Sequence, residues 1–486
     1  MSRRLLRIET LAVIAAALIL TFILMLEPII GIADNGDFQR IMASTGLGYL
    51  GESNRDKYFG FIERLYSVND IPLTLKGFYI STEIFLVKFA IFLNRLVKDN
   101  GIFDIRFLSI IYSVIFLFSI YLILKYSRPK SILTGLFLAF LLIAFFTDVG
   151  YISYFNSLYG ESVSFTFLLL TIGTALCLVR LEKPSVWVLA GFFTASLFLI
   201  GAKVQNVLIA AVIILFGIRL RQIRKDRLWR NTLLICVLLL SLSSAVIYLS
   251  VPKGIKDCNK YQTVFYGILK DSPNPSKDLQ ELGLDPKFSV LAGTNFFMKD
   301  LPYNLKDPAM EKELYDKISR GKILAFYIRH PLRYAEKLEK TANSAFTVRQ
   351  EGFGNYEKAE NTRFGQMSNS FGVWSSVKNS IIPHSLLFVV IFYILYLGIL
   401  AMLHIRAKGN SCKAYIEVFM VIALIGLIQF LVPVLGDGEA DLSKHLFLFN
   451  VSFDMMLISG MSWSAGKSLE LGKKILKERP FRIKFI

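Results

Sequence analysis

Long apolar runs constrain this chain more than any other feature, because each is long enough to cross a lipid bilayer. A transmembrane helix needs about 17–25 predominantly apolar residues. We predict ten such spans, of which the fifth and sixth are the shortest and weakest. The spans are 9–30, 107–125, 131–148, 162–179, 185–201, 203–218, 231–251, 385–404, 414–435 and 445–465.

The first span is expected to be retained in the membrane. Cleavable signal peptides have apolar cores of about 7–15 residues, followed by a small-residue cleavage site. The run from Leu11 to Ile30 is longer, and no such site follows it. The fifth and sixth spans bend at Lys203, Gln205 and Asn206, so they form either two spans or one re-entrant hairpin.

The charge distribution predicts how the chain is oriented. The net charge is +18, and basic residues concentrate in alternate gaps between the spans, which is the positive-inside pattern. We therefore expect a multi-pass protein of the cell membrane with both termini cytoplasmic, and the positive charge does not require a nucleic-acid partner. The basic clusters lie at 3–7, 125–130, 180–183, 219–230, 406–413 and 467–484.

The predicted fold is an all-α polytopic membrane protein with about ten transmembrane helices. Ser81–Val97 is apolar but carries charged residues at intervals, so we expect an interfacial helix in the first external loop, 31–106. The predicted units are an N-terminal membrane module at 1–251, a small, mainly helical extracytoplasmic domain at 252–383, transmembrane helices at 384–466 and a basic cytoplasmic tail at 467–486.

Several classes of chemistry lack their sequence signals. Only Cys258 of the four cysteines lies in an external segment, so no disulfide framework is expected there. No zinc motif and no phosphate-binding glycine loop occurs, which argues against a cytosolic domain that uses ATP or NAD.

The first external loop begins with two acids and an arginine. Asp34, Asp37 and Arg40 would share one side if 34–40 forms a helical turn. A carboxylate held near a reacting hydroxyl acts as a general base, so Asp34 or Asp37 is a candidate catalytic residue. The alternative is a hydrophilic turn around the Asn-Gly pair, in which these charges have no chemical role.

The next external loop combines aromatic, amide and acidic side chains. Tyr154, Asn156 and Glu161 lie in Tyr-Ile-Ser-Tyr-Phe-Asn-Ser-Leu-Tyr-Gly-Glu, residues 151–161. Sugar sites use this mixture, because aromatic faces pack on the ring while amides and acids bind hydroxyls. An interfacial aromatic belt would explain the tyrosines equally well, but it does not explain Asn156 and Glu161.

A third candidate segment precedes the last span. Asp441, Lys444 and His445 are candidate substrate-binding residues in Gly-Asp-Gly-Glu-Ala-Asp-Leu-Ser-Lys-His, residues 436–445. Cations at this surface would stabilise a departing lipid phosphate, and Lys203 could assist from the fifth and sixth spans. The alternative is a polar turn followed by a snorkelling lysine. Asp454, inside the last span, is either a cavity residue or one half of a structural pair.

These features resemble the GT-C superfamily of membrane glycosyltransferases. The order is similar: a first external loop with acids, an interfacial helix and a second span that opens with Phe103-Asp-Ile-Arg106. Three strings resemble, more narrowly, bacterial glycan biosynthesis hexose transferases of the WsfD type. They are NSLYGES at 156–162, VFYGILKDSPNPSKDLQELGLDP at 264–286 and GDGEADLSKHLFLFN at 436–450.

The resemblance implies a GT-C-like fold and an inverting hexosyltransferase. The donor would be a polyprenyl-phosphate sugar, and the acceptor a cell-surface glycan or glycolipid outside the cytoplasm. The base would be Asp34 or Asp37, and we favour Asp37 because Phe38 and Arg40 indicate an ordered turn. Many GT-C members have Asp-Glu in the first loop, where this chain has Asp-Asn-Gly-Asp.

The resemblance also leaves alternatives open. Arg40, Lys203, Lys444 or His445 would stabilise the departing phosphate, and whether a divalent metal such as Mg²⁺ or Mn²⁺ assists is undecided. A transporter or flippase of lipid-linked saccharides is the rival from another class, although no internal repeat of the kind such proteins carry is visible. A surface-polysaccharide polymerase or ligase is the third alternative. Each of these proteins would have membrane lipids as partners.

Overall fold

The computed structural model describes residues 2–51, 58–69, 79–350 and 353–478. The predicted tail at 467–486 is therefore described only as far as 478, and 52–57 and 70–78 of the first external loop lie outside the described residues. The described chain is mostly helical, as predicted, with five short strands that the sequence analysis did not include. Strands of three or four residues are too short to give a periodic signal.

The first 105 residues place one long helix before a loop region that contains two small sheets. Helix α1 ends at Leu24, whereas the predicted span continued to 30, because Ile30–Ile32 pairs as a strand instead. The elements are α1 (Ser2–Leu24), β1 (Ile30–Ile32), α2 (Gln39–Thr45), β2 (Leu47–Tyr49), β3 (Leu65–Val68), α3 (Glu83–Val97) and β4 (Ile102–Asp104).

The next segment forms most of the helical bundle. Ser131, Ser185 and Asp226 each precede a helix and accept a hydrogen bond from the backbone N–H three residues later, at 3.1, 3.4 and 3.0 Å. Such caps satisfy N–H groups that the helix itself leaves unpaired. The helices are α4 (Arg106–Ser127), α5 (Ile132–Phe146), α6 (Val149–Ile152), α7 (Glu161–Arg180), α8 (Val186–Gly201), α9 (Ile209–Arg219) and α10 (Arg227–Leu249).

The second loop region is helical with one strand, and the chain then returns to the bundle. Strand β5 pairs antiparallel with β1, and β2, β3 and β4 form a separate antiparallel sheet in that order. The elements are α11 (Lys253–Thr263), α12 (Pro275–Leu282), α13 (Pro308–Met310), α14 (Arg320–Arg329), α15 (Pro331–Ser344), β5 (Phe353–Tyr356), α16 (Val373–Ile381), α17 (Leu386–Arg406), α18 (Asn410–Asp437), α19 (Leu442–His445) and α20 (Phe447–Glu478).

Six helices of the described chain are long and apolar enough to cross a membrane, or seven if one bent pair counts as a span. The bent pair is Ile132–Phe146 with Val149–Asn156, at 55°, and two shorter apolar helices are Ile8–Leu24 and Val186–Gly201. Each of the ten predicted spans overlaps a helix, but the number ten stays a prediction. The six are Arg106–Ser127, Glu161–Arg180, Val204–Gln222, Arg227–Leu249, Leu386–Arg406 and Asn410–Asp437.

Helix α7 is the centre of the bundle. It packs against α4, α8 and α18, and 94% of its apolar window is buried. Phe165 of α7 lies 5.6 Å from the ring of Phe116 and 5.3 Å from that of Tyr151, so aromatic contacts join α4 and α6 to it. Glu161, the first residue of this helix, is consequently attached to the most enclosed element of the protein.

Asn156 anchors the first loop to the bundle. Its Nδ2 donates hydrogen bonds to the carbonyl oxygens of Leu24 at 3.1 Å and Ile30 at 2.8 Å, while its Oδ1 accepts one from Ser109. A Cβ atom at Gly31 would lie 2.5 Å from the Asn156 carbonyl oxygen, so only glycine allows this approach. The end of α1 and the start of β1 are thereby held against the turn that follows α6.

A buried ion pair connects α16 with α20. Lys378 and Asp454 have fully buried side chains, with Nζ and Oδ1 2.7 Å apart. Tyr151 and Trp374 donate further hydrogen bonds to Asp454 Oδ2, at 2.5 and 2.9 Å. Asp454 is therefore a paired structural residue in this fold, the second of the two alternatives that its position in the last span allowed.

We expect Lys378→Met to destabilise the protein strongly. The change leaves the Asp454 carboxylate buried without its cation, and breaking a buried pair costs about 3–5 kcal/mol. Thermal unfolding of the purified protein in nanodiscs measures the loss. The surface variant Lys467→Met is the control, with a change of about 1 kcal/mol or less. Equal melting temperatures for the two variants would contradict a stabilising role for Lys378.

Candidate active site

The turn after β1 is organised by the Asp34 carboxylate. Its Oδ1 accepts hydrogen bonds from the N–H groups of Gly36 and Phe38, at 2.7 and 3.1 Å, and its Oδ2 accepts one from the Tyr49 hydroxyl at 2.6 Å. Asp34 is only 2% exposed, and burial raises its pKa despite these hydrogen bonds. Both oxygens are engaged, so this carboxylate shapes the loop rather than facing a substrate.

Asp37 lies on the outer side of the same turn, with its side chain 32% exposed. One oxygen is 3.0 Å from the guanidinium of Arg40, and the other contacts the ammonium of Lys444. Burial alone would raise the pKa of Asp37, but Lys444, Arg40 and Lys203 lower it well below the usual range. Asp37 is therefore an ionised carboxylate held between cations from two distant parts of the chain.

Lys444 reaches Asp37 from the short helix α19. Its ammonium lies 4.3 Å from the centre of the Tyr159 ring, a cation–π contact that helps to hold a nearly buried charge. The Tyr159 hydroxyl accepts a hydrogen bond from the N–H of Asn35 at 3.0 Å. Tyr159 thus connects the turn after β1 to the lysine of α19.

A second acid–base pair lies at the start of α7. Glu161 is 2% exposed, and its Oε1 is 2.7 Å from the ammonium of Lys203. A Cβ atom at Gly160 would lie 2.8 Å from the carbonyl oxygen of Ala202, so the glycine permits this close approach between the two chain segments. Lys203 also lowers the pKa of Asp37, which places the two pairs within electrostatic reach.

Five predicted site residues therefore come together, and we call them the charge cluster. They are supplied by the loop after β1, the start of α7, the turn before α9 and helix α19. Three cations face two carboxylates, which leaves one net positive charge. The members are Asp37, Arg40, Glu161, Lys203 and Lys444.

The other predicted site residues lie apart from this cluster or hold it in place. Tyr154 is buried, with its ring 4.7 Å from that of Phe447, and Asn156 is the anchor described above. His445 contacts Gln205 Oε1 at 3.0 Å and Asp437 Oδ2 at 3.1 Å instead of joining the cluster. Asp441 precedes α19 and lines a separate cavity.

Glu83 was missed as a site residue. It is 1% exposed at the first position of α3, and among the described residues its Oε1 has no hydrogen-bond partner. Burial and the nearby Glu161 raise its pKa, whereas Lys203 acts against them. The periodic charges of Ser81–Val97 indicated an interfacial helix, but only the fold shows that Glu83 faces inward towards the charge cluster.

The residues of the charge cluster do not fit a divalent metal site. Such ions take several free carboxylate or carbonyl oxygens, whereas Asp37 and Glu161 are already paired with cations and both Asp34 oxygens are used within the turn. Within the described residues, no group of three or more His, Cys, Asp or Glu side chains could hold a metal ion.

We expect Asp34→Ala to destabilise the protein by about 3 kcal/mol or more, because the carboxylate accepts three hydrogen bonds and each hydrogen bond to a charged group contributes about 1.5–3 kcal/mol. Tyr49→Phe removes one of these bonds and costs about 1–3 kcal/mol. Thermal unfolding in nanodiscs measures both, with Asp99→Ala, an exposed acid, as the control. A stability for Asp34→Ala equal to that of the control would show that the carboxylate does not organise the loop.

Comparison with known proteins identifies the family. The family model described as the YfdI N-terminal transmembrane domain matches residues 1–480. The uncharacterized protein YfdI of Escherichia coli (strain K12) is 27% identical over 367 residues, which cover 73% of this chain and 74% of that protein. No solved structure matches. The chain is thus a multi-pass membrane protein, and it belongs to the YfdI N-terminal transmembrane domain family.

Proposed function

We propose that this protein is a GT-C-type glycosyltransferase that moves a hexose from a polyprenyl-phosphate carrier to a cell-surface glycan. The observation that carries the proposal is the charge cluster, in which Arg40, Lys203 and Lys444 surround the carboxylates of Asp37 and Glu161. The excess positive charge suits a lipid phosphate, and the carboxylates suit sugar hydroxyls. The resemblance of the first loop to that of GT-C enzymes supplies the reaction class.

The cations have the chemistry that a phosphate leaving group requires. When the sugar departs from the carrier, negative charge develops on the phosphate, and preorganised cations stabilise it. Lys444 and Arg40 are the best placed, because both touch Asp37. His445 is less suited to this role, since its two ring nitrogens face Gln205 and Asp437.

Asp37 is the proposed base, in preference to Asp34, whose oxygens are occupied. Cations hold its pKa low, which makes it a weak base while the donor is absent. A bound phosphate would draw Lys444 and Arg40 towards itself, and the basicity of Asp37 would then rise. Asp37 takes the proton of the acceptor hydroxyl, the acceptor oxygen bonds to the anomeric carbon, and the bond from that carbon to the phosphate oxygen breaks with inversion.

The proposed location of the reaction is the extracytoplasmic face of the cell membrane. The charge cluster lies at the end of α7 opposite Arg180, and the basic segment 180–183 belongs to the set expected in the cytoplasm. In the proposed orientation the donor lies in the outer leaflet, with its lipid chain beside the helices and its phosphate at the cluster. A divalent metal has no part in the proposed steps.

We expect Asp37→Asn to abolish hexose transfer while the protein still inserts into the membrane. The amide cannot accept the acceptor proton, and losing a general base typically lowers the rate about 10²–10⁴-fold. Mass spectrometry of surface glycan from a deletion strain, complemented with each variant, measures the missing hexose. Asp99→Asn, in an exposed part of the same loop, is the matched control.

Full transfer by Asp37→Asn, Asp34→Asn and the double variant would end this proposal. Reconstituted vesicles separate it from the flippase alternative. Movement of lipid-linked sugar across the bilayer without a new glycosidic bond would favour a flippase.

The pH profile provides an independent test of Asp37. In the proposed enzyme the acidic limb of the kcat profile reports the ionisation of the base in the complex with the donor. Lys444→Met removes a cation that depresses the pKa of Asp37, so the pKa rises and activity is lost at a higher pH than in the unchanged protein. Transfer of radiolabelled hexose in membranes measures the limb, with Lys98→Met as control. An unmoved limb would exclude Asp37 as the titrating base.

A further inference from the structure

A polar cavity of about 500 Å³ lies beside α19, separate from the charge cluster. It is formed where the end of α15 and the following loop meet the loop between α18 and α19. A volume of this size is typical of small-molecule sites. Polar side chains supply most of the lining, among them Lys340, Ser344, Thr347, Gln350, Asp441 and Ser443.

Charges around the polar cavity are balanced. Glu439 contacts Lys270 at 2.7 Å and Lys337 at 2.6 Å, and the latter lysine is also 2.7 Å from Asp271. Burial would raise the pKa of Glu439, but these lysines hold it below its usual range. Together with Lys340 and Asp441, the residues in and around the cavity comprise three lysines and three acids. They are Lys270, Lys337 and Lys340, and Asp271, Glu439 and Asp441. A lining without net charge favours an uncharged ligand over a polyanion, in contrast to the positively charged cluster near Asp37.

Several hydrogen-bonding groups of the cavity are unused by the protein. In the described part of the chain, the side chains of Ser344, Gln350 and Ser443 form no hydrogen bond, and that of Asp441 forms no hydrogen bond or ion pair. Hydroxyl, amide and carboxylate groups together recognise vicinal hydroxyls, the pattern that a saccharide presents. Asp441 also has a positive φ of 43°, a strained conformation that is found more often at binding sites.

Helix α19 connects the cavity to the proposed chemistry. Ser443 lines the cavity, and the next residue, Lys444, contacts Asp37. A ligand that contacts Ser443 would therefore lie beside the residue that contacts Asp37, the proposed base. The cavity is well placed to hold the part of an acceptor that lies beyond the hydroxyl to be modified.

We propose that the polar cavity binds a neutral oligosaccharide segment of the acceptor. This inference rests on the proposed function, because it assigns the cavity to the substrate of the same reaction. It identifies the acceptor class as an uncharged, hydroxyl-rich glycan and makes Ser344, Gln350 and Ser443 binding residues. Asp441, predicted as a substrate-binding residue, would act here rather than at the phosphate.

The test is direct binding, without donor or transfer. Full-length protein in nanodiscs is examined by saturation-transfer NMR with a panel of neutral hexose oligosaccharides that includes maltohexaose, and with sulfated maltohexaose. We expect binding of at least one neutral probe and weaker binding of the sulfated one. Ser344→Trp fills the cavity and should weaken binding about tenfold or more. Asn343→Trp, an exposed neighbour that does not line the cavity, should bind like the unchanged protein.

A second variant keeps the test valid if the tryptophan disturbs folding. Asp441→Asn preserves size and tolerates the same positive φ, and it should also weaken binding. No binding of any neutral probe, preference for the sulfated probe, or undiminished binding by both cavity variants would overturn the inference.

The binding test of the cavity can succeed or fail independently of the transfer test of the proposed function. Asp37→Asn should bind the probe normally, since Asp37 does not line the cavity. Binding that depends on Ser344, together with full transfer by Asp37→Asn, would refute the catalytic proposal alone. Loss of transfer by Asp37→Asn with no binding in the cavity would refute the acceptor site alone.

Discussion

The ion pair between Lys444 and Asp37 joins residues that are 407 positions apart in the chain. A lysine that is nearly buried needs a partner, because an unpaired charge away from water is costly. Asp37 and the ring of Tyr159 satisfy this need. The first loop, the turn before α7 and helix α19 are therefore held together by one requirement, namely that Lys444 be neutralised.

Two layers of polar contacts support that pair. Asp34 closes the turn that presents Asp37, and Asn156 holds the end of α1 and the start of β1 against the turn that follows α6. These residues make structural hydrogen bonds, although their sequence context resembles that of substrate-binding residues. The distinction matters for interpreting variants, because loss of activity at Asp34 or Asn156 would follow from a displaced loop. Only variants of residues whose polar atoms face the charge cluster can therefore test the proposed reaction directly.

The sequence contained enough information to identify all five members of the charge cluster as candidate site residues. Asp37, Glu161 and Lys444 each lie where an apolar run meets a polar segment, and such borders are visible in a linear pattern. Their catalytic and binding roles stay predictions, but the fold does bring them together.

Other features could not be predicted from pattern alone. Glu83 resembles any charged residue of an interfacial helix, and its burial depends on the packing of the start of α3 against the end of α8, where Ser81 and Thr82 donate hydrogen bonds to backbone carbonyl oxygens. The pairing of β1 with β5 joins segments more than 300 residues apart, and strands this short have no periodicity to detect. Asp441 lines the polar cavity whereas Lys444 belongs to the charge cluster. This difference depends on the local turn at α19 and could not be predicted from their spacing of three residues.

The two halves of the charge cluster differ in how firmly they are attached to the protein. Glu161 begins the most enclosed helix of the bundle, so its position is tied to the global stability of the fold. Asp37 and Arg40 lie on a turn whose geometry depends on a few side-chain hydrogen bonds, and such segments open at a lower free-energy cost than a packed core. The bundle half therefore keeps its position for as long as the bundle stays folded, whereas local opening of the turn is enough to displace the loop half.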